Sequence, residues 1–107
     1  MSTLAKLHTI PRTPLAHTPT PIEPLPNLGK YLGSGVLYVK RDDCTGLALG
    51  GNKARQLEYY FGDALEQGAD TILITGAVQS NFVRMAAAGA AKLGLPCHIQ
   101  LEERVAD

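Results

Sequence analysis

The chain has 107 residues, enough for one small domain with a real core but short for an enzyme that encloses a cofactor between two lobes. Ten Lys plus Arg balance ten Asp plus Glu, so no global field draws it to nucleic acid or to an anionic membrane. Cys44 and Cys97 lie far apart and outside any CxxC pair, His8, His17 and His98 are scattered, and no apolar run has membrane-spanning length, which argues against a zinc cluster, a disulfide framework and a transmembrane class.

In chain order, the opening MSTLAKLHTIPRTPLAH lacks the apolar core of a signal peptide, and with two reduced thiols a cytoplasmic protein is expected. Residues 9–26 hold six of the seven prolines. Proline removes backbone donors, so this stretch reads as an extended arm whose Leu15, Ile22 and Leu25 pack along the protein itself. After one short helical turn and a loop in residues 27–35, the β-rich run Val36–Lys40 predicts a strand, which Arg41, Asp42 and Asp43 break. From Lys53, the spacing of Leu57, Tyr60, Phe61, Ala64 and Leu65 predicts a helix with one buried face, ending near Gly68. Thr71–Thr75 predicts the next strand. Ser80 or Asn81 then caps an alanine-rich helix, narrow enough to press on a sheet, that stops at Gly94 before Pro96. A third strand, Cys97–Leu101, completes strand, helix, strand, helix, strand, the order of an α/β fold with a parallel sheet and flanking helices.

Ligands of open α/β sheets sit beyond the carboxyl ends of the strands, where loops enter helices. GGNK, with Asn52 and Lys53, leads into the first long helix, and TGAVQSN, with Gln79, Ser80 and Asn81, into the second. An amine, amides and a hydroxyl would then converge on one cleft. Taken singly, a Gly-Gly-Asn turn and a Ser-Asn cap are ordinary local structure. Neither GxGxxG nor GxxxxGK[ST] is present to wrap a nucleotide phosphate.

Together, KRDDCTGLALGGNKARQLE and GADTILITGAVQSNFVRMAAAGAAKLG, with PTPIEPLP in the arm, resemble the pyridoxal-phosphate enzymes of the D-cysteine desulfhydrase and 1-aminocyclopropane-1-carboxylate deaminase family. The most specific elements are KRDD, GGNKxRxLE and QSNxVR, in order and over nearly the whole chain. The resemblance implies the amino-terminal portion of a fold-type-II, tryptophan synthase β-like enzyme. Residues 1–35 would be the arm and connecting segment, 36–69 the start of the cofactor domain, and 70–107 the start of a smaller α/β domain. It implies pyridoxal 5'-phosphate as cofactor, with Lys53 joined to its aldehyde and Asn52 supporting it. Asn81 would bond the cofactor's 3-hydroxyl oxygen, Ser80 and N–H groups at the start of its helix would hold the substrate carboxylate, and Gln79 and Asn81 would also bind substrate. The implied reaction is α,β-elimination from a small amino acid such as D-cysteine, giving pyruvate, ammonia and sulfide. Ring-opening deamination of aminocyclopropane carboxylate, cysteate sulfo-lyase chemistry and a silent fragment that pairs with another chain are the alternatives. Self-assembly of the complete protein is expected.

Three departures qualify the match. Gln56 stands where deaminases have a second lysine, GGNKxRK, that holds the cofactor phosphate, and Phe82 stands where histidine or glutamine is frequent. Family members are also longer, and complete the cofactor site with a glycine-rich phosphate loop, a group opposite the pyridine nitrogen and a tyrosine, all beyond residue 107. On its own, this chain is expected to be an incomplete enzyme.

Overall fold

The computed structural model describes residues 3–33 and 35–103. A short helix α1 (Thr3–Leu7) leads into the arm, and the arm contains a strand, β1 (Ile22–Pro24). Helix α2 (Pro26–Tyr31) has proline in its first turn, where a missing N–H costs no helical bond. Strand β2 (Tyr38–Lys40) is followed by two 3-10 turns, Asp42–Thr45 and Leu47–Leu49, and then by helix α3 (Lys53–Glu66). Strand β3 (Ile72–Ala77), helix α4 (Asn81–Leu93) and strand β4 (Cys97–Glu102) complete the order.

The parallel sheet is smaller than the sequence suggests. β3 and β4 pair in parallel from Ile72 opposite Cys97 to Ala77 opposite Glu102, with α4 as the crossover. The first expected strand does not join them: β2 pairs antiparallel with β1, Ile22 opposite Lys40 and Pro24 opposite Tyr38. A proline-rich segment can serve as a short edge strand because the partner ladder does not need every donor, and this arm lies beside β2. β3 also runs two residues beyond the expected Thr75, through Gly76 to Ala77.

Helix ends follow local chemistry. Ser80 caps α4, its Oγ accepting the Val83 N–H at 3.3 Å, and Gly94 closes it in the left-handed conformation. The core joins arm, α3 and α4 through Leu15, Ala54, Leu57, Phe61, Met85, Ala86 and Ala90. Each large apolar side chain there contributes roughly 1.5–3 kcal/mol by leaving water.

The buried face of α3 is turned from the expected one. Leu57 and Phe61 are buried, but Tyr60 is 60% and Leu65 39% exposed, while Ala54, Glu58 and Gly62 are buried with them. The cause is the arm, which lies across the helix and needs a polar partner. Glu58 Oε1 accepts the N–H groups of both Leu15 and Ala16 at 2.9 Å, and the Glu58 carbonyl accepts from Thr13 N–H. At Gly62 the arm touches bare helix backbone: a Cβ would stand 2.5 Å from the Pro11 carbonyl oxygen. Leu15 anchors the arm as expected, Leu25 is half-buried, and Ile22 is exposed because its strand lies at an edge. The small residues of α4 receive Phe61 and Leu15 at Gly89 as well as facing β3.

Candidate active site

The KRDD motif is a knot that ties arm, strand and lysine turn together. Lys40 Nζ donates to the Thr20 carbonyl. Arg41 reaches Glu23 at 2.7 Å and Asp43 at 2.6 Å, fastening β1 to the start of the first 3-10 turn. Asp42 accepts from Arg55 Nε and Nη2 at 2.8 Å each and from Thr20 Oγ1 at 2.9 Å. Those bonds, Arg55 foremost, hold the Asp42 carboxyl down at about 2, and the same pair raises the pKa of Arg55.

The knot also holds the turn that presents Lys53. Gly51 N–H donates to the Asp42 carbonyl and to Thr45 Oγ1, both at 2.9 Å, and Thr45 Oγ1 returns a bond to the Gly51 carbonyl at 2.8 Å. Thr45 is buried, and its own carbonyl accepts from His17 N–H in the arm. Gly50 sits at φ 79°, ψ 177°, and a Cβ there would lie 1.8 Å from the Asp43 carbonyl oxygen, so only glycine fits. Ala48 and Leu49 just before it also have positive φ, an unfavourable conformation for residues with a Cβ, and Leu49 is 93% exposed.

Asn52 therefore precedes α3 as an exposed residue that makes no side-chain cap, and half-buried Lys53 is its first helical residue. Among the described residues the Lys53 amine has no ion pair. Asn81 is the first residue of α4, Ser80 its cap, and Gln79 is exposed in the loop before them.

Arg84 brings the two loops together. Its Nη2 donates to the Gly50 carbonyl at 3.3 Å and to Asn81 Oδ1 at 3.4 Å, so one guanidinium spans the lysine turn and the start of α4. Met85, fully buried on the same helix, lies under the turn, its Sδ 3.2 Å from where a Gly51 Cβ would be. Phe82 goes elsewhere. Its ring meets Tyr60 edge-on, centroids 6.2 Å apart, and lines a groove of about 370 Å³ with Leu57, Phe61, Ile72 and Ala86. Gln56 is exposed on the outer side of α3.

Thr20, Thr45, Arg55, Glu58 and Arg84 are the residues that sequence reading passed over. Arg55 and Glu58 stand inside GGNKxRxLE and Arg84 inside QSNxVR, so a charge at a fixed motif position was their signal; Thr20 and Thr45 lie in PTPIEPLP and in the stretch after KRDD but carry no charge to mark them.

The residues present suit the lysine side of a pyridoxal-phosphate site. Lys53, a primary amine, and Asn81, an amide, stand on segments joined by one side chain, and both are groups that such a cofactor could use. No helix among the described residues is long and apolar enough to cross a membrane.

Residues 13–106 match the model of the pyridoxal-phosphate dependent enzyme family. Proteins named D-cysteine desulfhydrase from Salmonella paratyphi B and Salmonella newport are each 53% identical over 102 residues, 95% of this chain and 31% of the relative. A crystal structure of an ACC deaminase homologue superposes with a TM-score of 0.86 at 46% identity, over 94% of this chain and 31% of that one. The chain thus spans about a third of the length of the relatives it matches.

Proposed function

This chain belongs to the pyridoxal-phosphate-dependent enzyme family, in its fold-type-II class, and we infer that it supplies the lysine side of an active site for α,β-elimination from a small amino acid such as D-cysteine. Pyruvate, ammonia and sulfide are the products of that reaction. The observation that carries the reading is the Arg84 bridge between the Lys53 turn and Asn81. It ties the turn that leads into Lys53 to the helix start that carries Asn81, and so supports a reading in which that amine and that amide flank one cofactor.

When bound, pyridoxal phosphate supplies an electron sink for charge developing on the substrate's α-carbon. Lys53 would hold the cofactor through its amine, and the free amine would move a proton to or from that carbon. Asn52 would support the cofactor beside Lys53, and Asn81 would donate to its 3-oxygen. Ser80, Gln79, Asn81 and the free N–H groups at the start of α4 receive the substrate carboxylate. In the same reading, residues 36–69 open the cofactor domain and 70–107 a smaller one, and the protein works in the cytoplasm as an assembly of identical chains.

The structural likeness to an ACC deaminase homologue favours ring-opening deamination as the second reading. Turnover of D-cysteine, L-cysteine, cysteate and aminocyclopropane carboxylate, followed by keto-acid and sulfide release in the protein at its natural length, separates the two. Lys53→Ala is expected to abolish both turnover and the visible absorbance of the lysine-linked cofactor. Full activity in that variant would overturn the mechanism.

A further inference from the structure

We propose that Arg84 is a positioning residue that fixes the orientation of the Asn81 carboxamide, so that Asn81 offers its N–H groups to an anionic oxygen in front of Lys53. The identity of that oxygen, the cofactor's 3-oxygen, rests on the function proposed above.

A guanidinium carries only donors, whereas a carboxamide has a carbonyl on one side and an NH2 on the other. Arg84 Nη2 lies 3.4 Å from Asn81 Oδ1, so the amide carbonyl must face Arg84 and the NH2 must face away. Arg84 follows Asn81 by three residues on α4, one helical turn, which lets the two side chains meet. Asn81 is exposed. Without that contact its amide would turn freely and present lone pairs as readily as donors, and lone pairs repel an anionic oxygen.

The second bond of Arg84 gives the orientation its location. The same Nη2 donates to the Gly50 carbonyl at 3.3 Å, three residues before Lys53, so Asn81 is indexed to the turn that carries the amine. Among the described residues, Arg84 Nη1 is buried without a hydrogen-bond partner. A buried donor without an acceptor is a cost to stability.

The test uses the protein at its natural length with Arg84→Lys, Arg84→Met, Asn81→Ala and the double variant Arg84→Met/Asn81→Ala, each checked for an unchanged circular dichroism spectrum. Before any cofactor is added, the Asn81 side-chain NH2 signals in an amide nitrogen–proton spectrum should move in Arg84→Met. With pyridoxal phosphate added, Arg84→Met and Asn81→Ala should each weaken binding about tenfold, with the double variant no weaker than either single one. Arg84→Lys keeps the charge but cannot span both acceptors and should fall between wild type and Arg84→Met. Unmoved Asn81 signals, or losses that add in the double variant, would overturn the proposal. Absence of any Lys53-dependent absorbance in the wild type, with the Asn81 signals still coupled to Arg84, would instead overturn the cofactor reading and leave the orientation standing.

Discussion

Arg12 and Glu58, 46 positions apart, meet through Arg12 Nε at 2.7 Å and Nη2 at 2.5 Å from the same carboxylate oxygen, Oε2. The pair is lopsided: the Arg12 side chain is 45% exposed and that of Glu58 1%. Glu58 therefore carries the burden of being charged inside the protein, and the arm supplies what makes that tolerable. Glu58→Ala should destabilise the protein by about 3 kcal/mol, because two arm N–H groups and a guanidinium lose their acceptor together. Glu58→Gln should cost less, since an amide oxygen can still accept. Urea unfolding of the two variants against wild type measures both, and equal stability of Glu58→Ala and wild type would remove the clamp.

Acid should loosen the same region. Burial pushes the Glu58 carboxyl up, but the N–H groups of Ala16 and Leu15 and the Arg12 charge more than offset it, leaving its pKa below the ordinary value of 4.5. Arg55 and Thr20 hold Asp42 at about 2 against an ordinary 3.8. For groups depressed on folding, the stabilisation is complete above the unfolded pKa and is lost as pH falls through the folded one. Stability should accordingly decline from pH near 4 toward 2. Melting temperatures across that range should fall less steeply in Asp42→Asn than in wild type, and an identical slope would show that Asp42 contributes nothing to it.

Gly50→Ala should break the lysine turn. The new Cβ would overlap the Asp43 carbonyl oxygen, and the residue would also be held at positive φ. Gly68→Ala is the matched comparison, with φ 75° but open space around it. The second change should cost about 1 kcal/mol and the first more than about 2 kcal/mol. Thermal unfolding of both, with the absorbance of lysine-linked cofactor, distinguishes a local strain from loss of the site.

Ser80→Ala should remove the cap of α4, at about 1 kcal/mol, and raise KM for substrate while cofactor affinity changes little. Steady-state kinetics beside a cofactor titration would show the division. An unchanged KM would withdraw the carboxylate role and leave the cap.

The 107-residue chain alone should self-associate and bind pyridoxal phosphate weakly. Its accessible surface of 7575 Å² exceeds the roughly 5,800 Å² of a compact monomer of this mass, and Leu73 at 79% exposure marks an uncovered face of the parallel sheet. Light scattering and dye binding would report this. A monodisperse monomer with a single tight cofactor site would contradict it.

The legibility of the sequence divides along a physical line. α3, β3, α4 and β4 were readable because each is written locally, in apolar spacing, β-branched runs and terminal Gly, Ser or Pro. The pairing of β2 with β1 was not, since it depends on where a proline-rich segment comes to lie. Glu58 was hidden for a related reason: a carboxylate on a helix reads as a solvent-facing letter unless its distant N–H partners are known. At the site, Lys53, Ser80 and Asn81 stood out by motif, whereas the bridge through Arg84 is a matter of reach between loops.

Where Pro11 rests on Gly62, two stretches of main chain meet with no side chain between them. Any other residue at position 62 would bring a carbon against main-chain atoms that cannot rotate aside, so the arm itself would have to move off the helix. Substitution at position 62 should therefore loosen the arm from α3. A randomised library at position 62, sorted for folded protein, should be enriched in the smallest residues, and the crossing would act as a hinge pin between arm and helix.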